Sequence, residues 1–141
     1  MFILDTNVVS ELRKAKSGKA DANVVAWASE TPAPMMFLSV ASILEIELGI
    51  LQIQRKDTAQ GNRLRDWLEN QVIGAFAERI IHFDIGIARQ CAALHVPDPR
   101  SERDAIIAAT ALVHGMTVVT RNGSDFETTG VNLLNPWQLS Q

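Results

Sequence analysis

The sequence predicts an α/β protein: a single domain with a central parallel β-sheet of four to five strands and helices on both faces. Three observations carry this. Short apolar runs alternate with longer stretches at helical spacing, and strands alternating with helices argue parallel pairing with both faces covered. The chain has 141 residues, one domain of ordinary size with room for a real core. No repeat, low-complexity stretch or linker interrupts residues 1–141.

Taken in order, Phe2 to Leu4 is an apolar run suited to a buried strand. Asp5-Thr6-Asn7 supplies N-cap residues, and Val8 to Arg13 reads as a short helix. Ala20 to Thr31 is a second helix, stopped by Pro32 and Pro34. Met35 to Leu38 is the second strand. Ser39 opens a helix to about Gln54, with Ile43, Leu44, Leu48 and Leu51 at helical spacing. Asp57 to Phe76 reads as one helix, with Leu64, Trp67, Leu68, Gln71 and Val72 on one stripe. Ile80 to Phe83 is the third strand, and Asp84 caps a helix to about His95. After the Pro97-Asp98-Pro99 loop, Ser101 to His114 is a strongly apolar helix closed by Gly115. Thr117 to Thr120 is the fourth strand and Val131 to Leu134 a fifth.

Composition excludes several classes. The apolar fraction of 47% and charged fraction of 21% fit a folded globular protein and argue against disorder. No apolar run is long enough to span a bilayer, and the start reaches Asp5 too early for a signal peptide. Cys91 is the only cysteine, so no intrachain disulfide forms, and a reducing cytoplasm is expected. The net charge of −3 gives no global pull on nucleic acid. Arg13, Lys14, Lys16 and Lys19 cluster locally, as do Arg100 and Arg103, and such patches hold phosphates even on an acidic protein. A solvated loop is the plainer reading of Lys14, Lys16 and Lys19.

The chemistry lies in four acids at the edges of apolar runs: Asp5, Glu45, Asp104 and Asp125. In an open parallel sheet, ligands bind beyond the carboxyl ends of the strands, where strand order reverses. Asp5 ends strand one, and Asp125 follows strand four. Glu45 lies on the second turn of the helix after strand two, and Asp104 on the first turn of the helix before strand four. All four can face one rim. Carboxylates so gathered repel one another and stay ionised together only around a cation.

Each acid also has a plain reading. Asp5 caps a helix, Ser101 and Asp104 have capping-box spacing, and Asp125 is a loop acid. Glu45 is harder to dismiss, because Ser42 and Gly49 share its helix face, and glycine within a helix suggests close backbone approach. Glu47 lies about 200° around the helix and should point away. His82, His95 and His114 lack metal-ligand spacing, and Cys91 on an apolar stripe reads as core.

Together these segments resemble the PIN domain, the fold of VapC-type toxins of type II toxin–antitoxin pairs. The resemblance runs through Leu4-Asp5-Thr6-Asn7, the Ser39-x-x-Ser42-x-x-Glu45-x-x-x-Gly49 helix and Arg103-Asp104-Ala105-Ile106-Ile107-Ala108-Ala109-Thr110-Ala111. It continues in Val119-Thr120-Arg121-Asn122, Asp125-Phe126 and Asn135-Pro136-Trp137. The closing tripeptide is most similar to the FitB and plasmid-stability branch. The family commonly has Thr where this chain has Ser42, which keeps the hydroxyl.

The resemblance implies a Mg²⁺- or Mn²⁺-dependent endoribonuclease with Asp5, Glu45 and Asp104 as the primary metal cluster. Asp125 would bind a second ion or orient water. Thr6, Asn7, Thr120 and Asn122 would hydrogen-bond carboxylates or phosphate, and Arg121 would contact phosphate. Hard carboxylate oxygens suit those ions independently of any resemblance. The resemblance also implies a cognate VapB/FitA-type antitoxin, operator DNA bound only through it, an RNA substrate such as tRNA, and a homodimer.

Rival readings weaken on the residues. A haloacid-dehalogenase phosphatase needs Asp-x-Asp where this chain has Asp5-Thr6-Asn7. A DEDD exonuclease expects antiparallel strands around its first acid. The non-enzyme rival is an interaction module acting mainly within an antitoxin complex, with Val8, Val9, Leu12, Val24, Val25 and Trp27 forming a groove for an antitoxin segment. Trp27, Trp67 and Trp137 read as packing residues rather than base-stacking platforms.

Overall fold

Phe2–Leu4 forms strand β1 at the centre of the sheet, because both neighbouring strands pair with it in parallel. Strands β2 (Met36–Ser39), β3 (Ile80–Ile81), β4 (Thr117–Val119) and β5 (Asn132–Leu134) complete the order β3-β2-β1-β4-β5. Ile3 sits opposite Phe37 on one side and Val118 on the other. Strand order reverses between β1 and β4, so the crevice beyond their carboxyl ends is the place for a ligand. The computed structural model describes residues 1–138, and the last three positions of the expected domain 1–141 lie outside the described residues.

Side chains alternate across the strands, and this sorts the core into two layers. Leu4, Leu38 and Val119 point to one face and pack with Val8, Val9, Val24, Trp27, Ile46, Ile50, Leu68 and Val72. These come from helices α1 (Thr6–Arg13), α2 (Ala22–Glu30) and α3 (Val40–Gln54) and the segment after α4 (Thr58–Trp67). Ile3 and Val118 point to the other face, against Ile107, Ala108, Ala111 and Phe126. Helix α6 (Glu102–His114) supplies that layer, and α5 (Ile85–Leu94) packs on α6 through Ile87, Cys91, Ala105 and Ala109. Small residues on α6 let it lie close to sheet and helix together.

Caps fix where the helices start. Asp5, Asp21, Ser39, Asp57 and Asp84 each accept a backbone N–H of the first turn. Gly115, at φ 66°, ends α6 in the left-handed region that favours glycine.

Four expectations are corrected. The expected helix from Asp57 to Phe76 is α-helical only to Trp67 and continues as a π-helical stretch over Leu68–Ile73. Side-chain spacing does not encode that change of hydrogen-bond register, since Leu68 and Val72 stay buried through it. Ser101 occupies the N-cap of α6, but its hydroxyl makes no cap bond and lies against the Asp104 carboxyl instead. A side chain added at Gly49 would meet open space, so no backbone approaches there. Val8, Val9, Val24 and Trp27 are buried in the core and Leu12 packs against it, which leaves only the half-buried Val25 of the residues expected to form a groove.

Candidate functional site

Asp5, Glu45, Asp104 and Asp125 line one cavity of about 670 Å³ at the strand-order reversal. Asp5 is nearly buried and leaves the end of β1 as the cap of α1. One of its oxygens, Oδ1, accepts the Thr6 N–H at 2.8 Å. The other, Oδ2, accepts the Thr120 hydroxyl at 2.8 Å and the Asn7 amide at 3.2 Å. The Asp5 N–H itself bonds the Val119 carbonyl at 2.9 Å, so the ends of β1 and β4 are locked together under this carboxylate.

Glu45 reaches the same cavity from the second turn of α3. The Thr6 hydroxyl lies 2.8 Å from its Oε1 and 3.1 Å from the buried Ser42 hydroxyl. Thr6 thus serves two carboxylates, Asp5 through its backbone and Glu45 through its side chain. Glu47 points elsewhere and makes a bidentate pair with Arg65 on α4. Asp104 stands on the first turn of α6. Asp125 belongs to the 3₁₀ turn Gly123–Thr129 after β4, where the fully buried Phe126 anchors the next position in the core.

The electrostatics follow from this crowding. The Asp104 carboxyl is pushed up to about 6 by burial first, then by the charges of Asp5, Asp125 and Glu45, against a smaller lowering from Ser101. Asp5 is also raised, chiefly by burial, and the Thr120 hydroxyl and Thr6 N–H oppose that shift. The charges of Glu45 and Asp125 raise Asp5 further. The Asp5 and Asp104 carboxyls are thus both raised, by burial and by the acids gathered around them.

Positive charge rims this acidic floor. Arg13, Lys14, Arg103 and Arg121 line the same cavity. Arg103 approaches the free oxygen of Glu45 at 4.0 Å. The Arg121 guanidinium lies over the Trp137 ring, 5.2 Å from its centroid, and the Arg121 N–H donates to Asn7 Oδ1 at 3.3 Å. The Asn122 N–H donates to the Thr120 hydroxyl oxygen at 3.0 Å. Asp5, Glu45, Asp104, Asp125, Thr6, Asn7, Arg121 and Asn122 line this cavity, and Thr120 bonds Asp5 beneath it. Arg13 and Lys14, part of the basic cluster the sequence offered for holding phosphate, line the cavity with the acids, and Lys14 pairs with Glu11 at 2.9 Å. Two features escaped sequence reasoning. Trp137 packs, as expected, but also carries Arg121. Cys91 and His95, four apart on α5, meet Glu102.

Comparison with known proteins agrees with this architecture. The PIN domain family model matches residues 2–132. The VapC ribonuclease Y4jK of Sinorhizobium fredii is 36% identical, with 98% of this chain and 99% of that protein aligned. Toxin FitB of Neisseria gonorrhoeae is 33% identical over 97% of this chain and 99% of its own length. Among solved structures, FitAcB from Neisseria gonorrhoeae superposes with a TM-score of 0.86 at 33% identity, covering 99% of this chain and 100% of that one. A toxin–antitoxin complex from Klebsiella pneumoniae gives 0.68 at 26% identity, covering 99% and 100%. Fold and site thus define a nuclease-type α/β domain. The chain belongs to the PIN-domain family, in its VapC and FitB toxin group.

Proposed function

We propose that this chain is a metal-dependent endoribonuclease, the toxin of a type II toxin–antitoxin pair, with residues 1–141 acting as one PIN domain. The observation that supports this most is the gathering of Asp5, Glu45, Asp104 and Asp125 in one cavity, with Asp104 raised to about 6. The donor set fits the ion. All four offer hard carboxylate oxygens, and their mutual repulsion is relieved by Mg²⁺ or Mn²⁺. Asp5, Glu45 and Asp104 would hold it, with Asp125 serving a second ion or a water. When bound, such an ion supplies Lewis-acid activation of water and of the phosphoryl oxygen.

The remaining work falls to the chain's own residues. Thr120, Asn7 and the Thr6 N–H hold the Asp5 carboxylate in one orientation. The Thr6 hydroxyl does the same for Glu45. Arg121, already oriented on Trp137, and Arg103, Lys14 and Arg13 draw the phosphate backbone over an acidic floor that would otherwise repel it. Substrate is RNA, with structured RNA such as tRNA the first to try. The partner is a VapB/FitA-type antitoxin, and operator DNA is reached only through it. The protein works as a cytoplasmic homodimer. Among the described residues no helix is long and apolar enough to cross a membrane.

A second reading has its own support. One structural neighbour, at a TM-score of 0.82 and 32% identity, is FitAB bound to the IR36 DNA fragment. The chain could then act mainly as an interaction module within a DNA-bound complex. The gathering of four carboxylates, with Asp5 and Glu45 held by hydrogen bonds, favours catalysis.

The test is cleavage of tRNA and mRNA by antitoxin-free protein with Mg²⁺, Mn²⁺ or EDTA, beside Asp5→Asn and Glu45→Gln. Discrete cuts that need metal and fall at least about 100-fold in both folded variants support the nuclease. Folded, metal-binding protein that cuts neither RNA moves the reading to the interaction module. Cutting that survives both substitutions removes the assigned site.

A further inference from the structure

We propose that Cys91, His95 and Glu102 form a second metal site, distinct in chemistry from the acidic cluster, that takes Zn²⁺. One ligand atom from each residue lies within 4.8 Å of the other two. Cys91 Sγ is 3.7 Å from Glu102 Oε1, and His95 Nε2 is 3.7 Å from the same oxygen. Metal–ligand bonds of 2.0–2.3 Å in a tetrahedron impose ligand separations of roughly 3.3–3.8 Å. The first is a weak thiol hydrogen bond, the second is beyond hydrogen-bond length, and both match the span across one ion.

The fold builds this placement. Cys91 and His95 stand one turn apart at the end of α5, so they share a face. Glu102 opens α6, which packs along α5. Cys91 is buried and in no disulfide, and its thiol donates to the Glu102 carboxylate. His95 Nε2 is the one buried side-chain nitrogen or oxygen without a hydrogen-bond partner among the described residues. Buried polar atoms are nearly always satisfied, and this one is aimed at a thiol and a carboxylate.

The donor set selects the ion. A thiolate with an imidazole and a carboxylate suits Zn²⁺, whereas Mg²⁺ prefers oxygen alone. Solvent reaches the exposed Glu102 and can provide a fourth ligand as water. Binding takes the proton from the Cys91 thiol and releases it to solvent. His95 Nδ1 now accepts the Arg100 N–H at 3.2 Å, which places the ring proton on Nε2. Coordination through Nε2 moves that proton to Nδ1 and opens the Arg100 contact, exchanging that hydrogen bond and the weak thiol one for three metal–ligand bonds. The ion would pin the end of α5 to the turn of α6 that carries Arg103 and Asp104.

Co²⁺ titration of the full chain tests this, because a thiolate ligand produces a charge-transfer band that carboxylates cannot. Wild type should show that band with tetrahedral ligand-field absorption, saturating at one ion per chain and reversed by Zn²⁺. Asp104→Asn should keep it. Cys91→Ser, His95→Gln and Glu102→Gln should each weaken Zn²⁺ at least about tenfold in competition with a chromophoric chelator. Circular dichroism identifies the folded variants, and the other two changes decide the matter if Cys91→Ser does not fold. Folded wild type with no thiolate band overturns the site, as does a band that His95→Gln and Glu102→Gln leave unchanged.

Discussion

Replacing Asp104 by Asn should stabilise the metal-free protein, and only above acidic pH. The carboxyl moves from an ordinary 3.8 to about 6 on folding. A carboxyl raised on folding subtracts stability when ionised. Below pH 3.8 it is protonated in both states and costs nothing. Between 3.8 and 6 the unfolded chain loses its proton first, so the penalty grows, and above 6 it is complete. The shift corresponds to about 3 kcal/mol. Asp104 is half-exposed, and solvent screening reduces this to about 1.5 kcal/mol. Asn also forfeits a favourable interaction with the α6 dipole, about 0.5 kcal/mol. The net gain is about 1 kcal/mol, or roughly 3–5 °C in Tm. Thermal melts in EDTA from pH 3.5 to 8 measure it. The gain should be absent at pH 3.5 and complete by pH 7.5, and Mg²⁺ should raise the wild-type Tm more than that of the variant. A variant less stable than wild type at pH 7.5, or equally stabilised at every pH, would refute the picture of crowded carboxylates.

Other outcomes follow from the same geometry. Thr120→Val removes the hydroxyl donor from a buried Asp5 oxygen, so it should cost about 1–3 kcal/mol in denaturant melts and shift the acid limb of the cleavage profile upward. Phe126→Ala empties a fully buried position beside Asp125 and should cost about 3–5 kcal/mol by the same measurement. Arg121→Gln should weaken RNA binding across sequences and reduce the slope of log K against log salt by about 1, read by fluorescence anisotropy at several salt concentrations.

The elements were legible where side chains carry the signal. Asp5 and Asp84 cap helices as polar residues before apolar stripes do, whereas Asp21, read inside a helix from Ala20, caps one that starts at Ala22; Ile3 and Leu4 face opposite layers as alternation requires. Convergence of the four acids was legible as topology, because each stood at the carboxyl end of a strand or in an adjoining helical turn. Backbone register was not legible, which is why Leu68–Ile73 departs from α geometry unannounced. Gly49 misled for a related reason: a sequence shows that a side chain is missing, not what occupies the space. Ser101 kept its cap position yet turned its hydroxyl to Asp104, a choice between accepting a backbone N–H and donating to a carboxylate that spacing cannot make. Cys91 read as core and His95 as lacking ligand spacing, because the third partner, Glu102, arrives from another helix across a loop.

The strand order has a kinetic consequence. Phe2 pairs with Thr117, so the central strand must wait for residues more than 100 positions later before its second edge is satisfied. Contacts of such separation are late and slow to form, because loop closure precedes their reward. Asp5 takes its Thr120 bond only at that moment, and Asp125 follows still later in the chain. A fragment that stops before β4 holds Asp5 and Glu45 without the partners that make them a site. The four-acid site is therefore assembled all at once, with closure of the sheet, rather than growing as the chain lengthens.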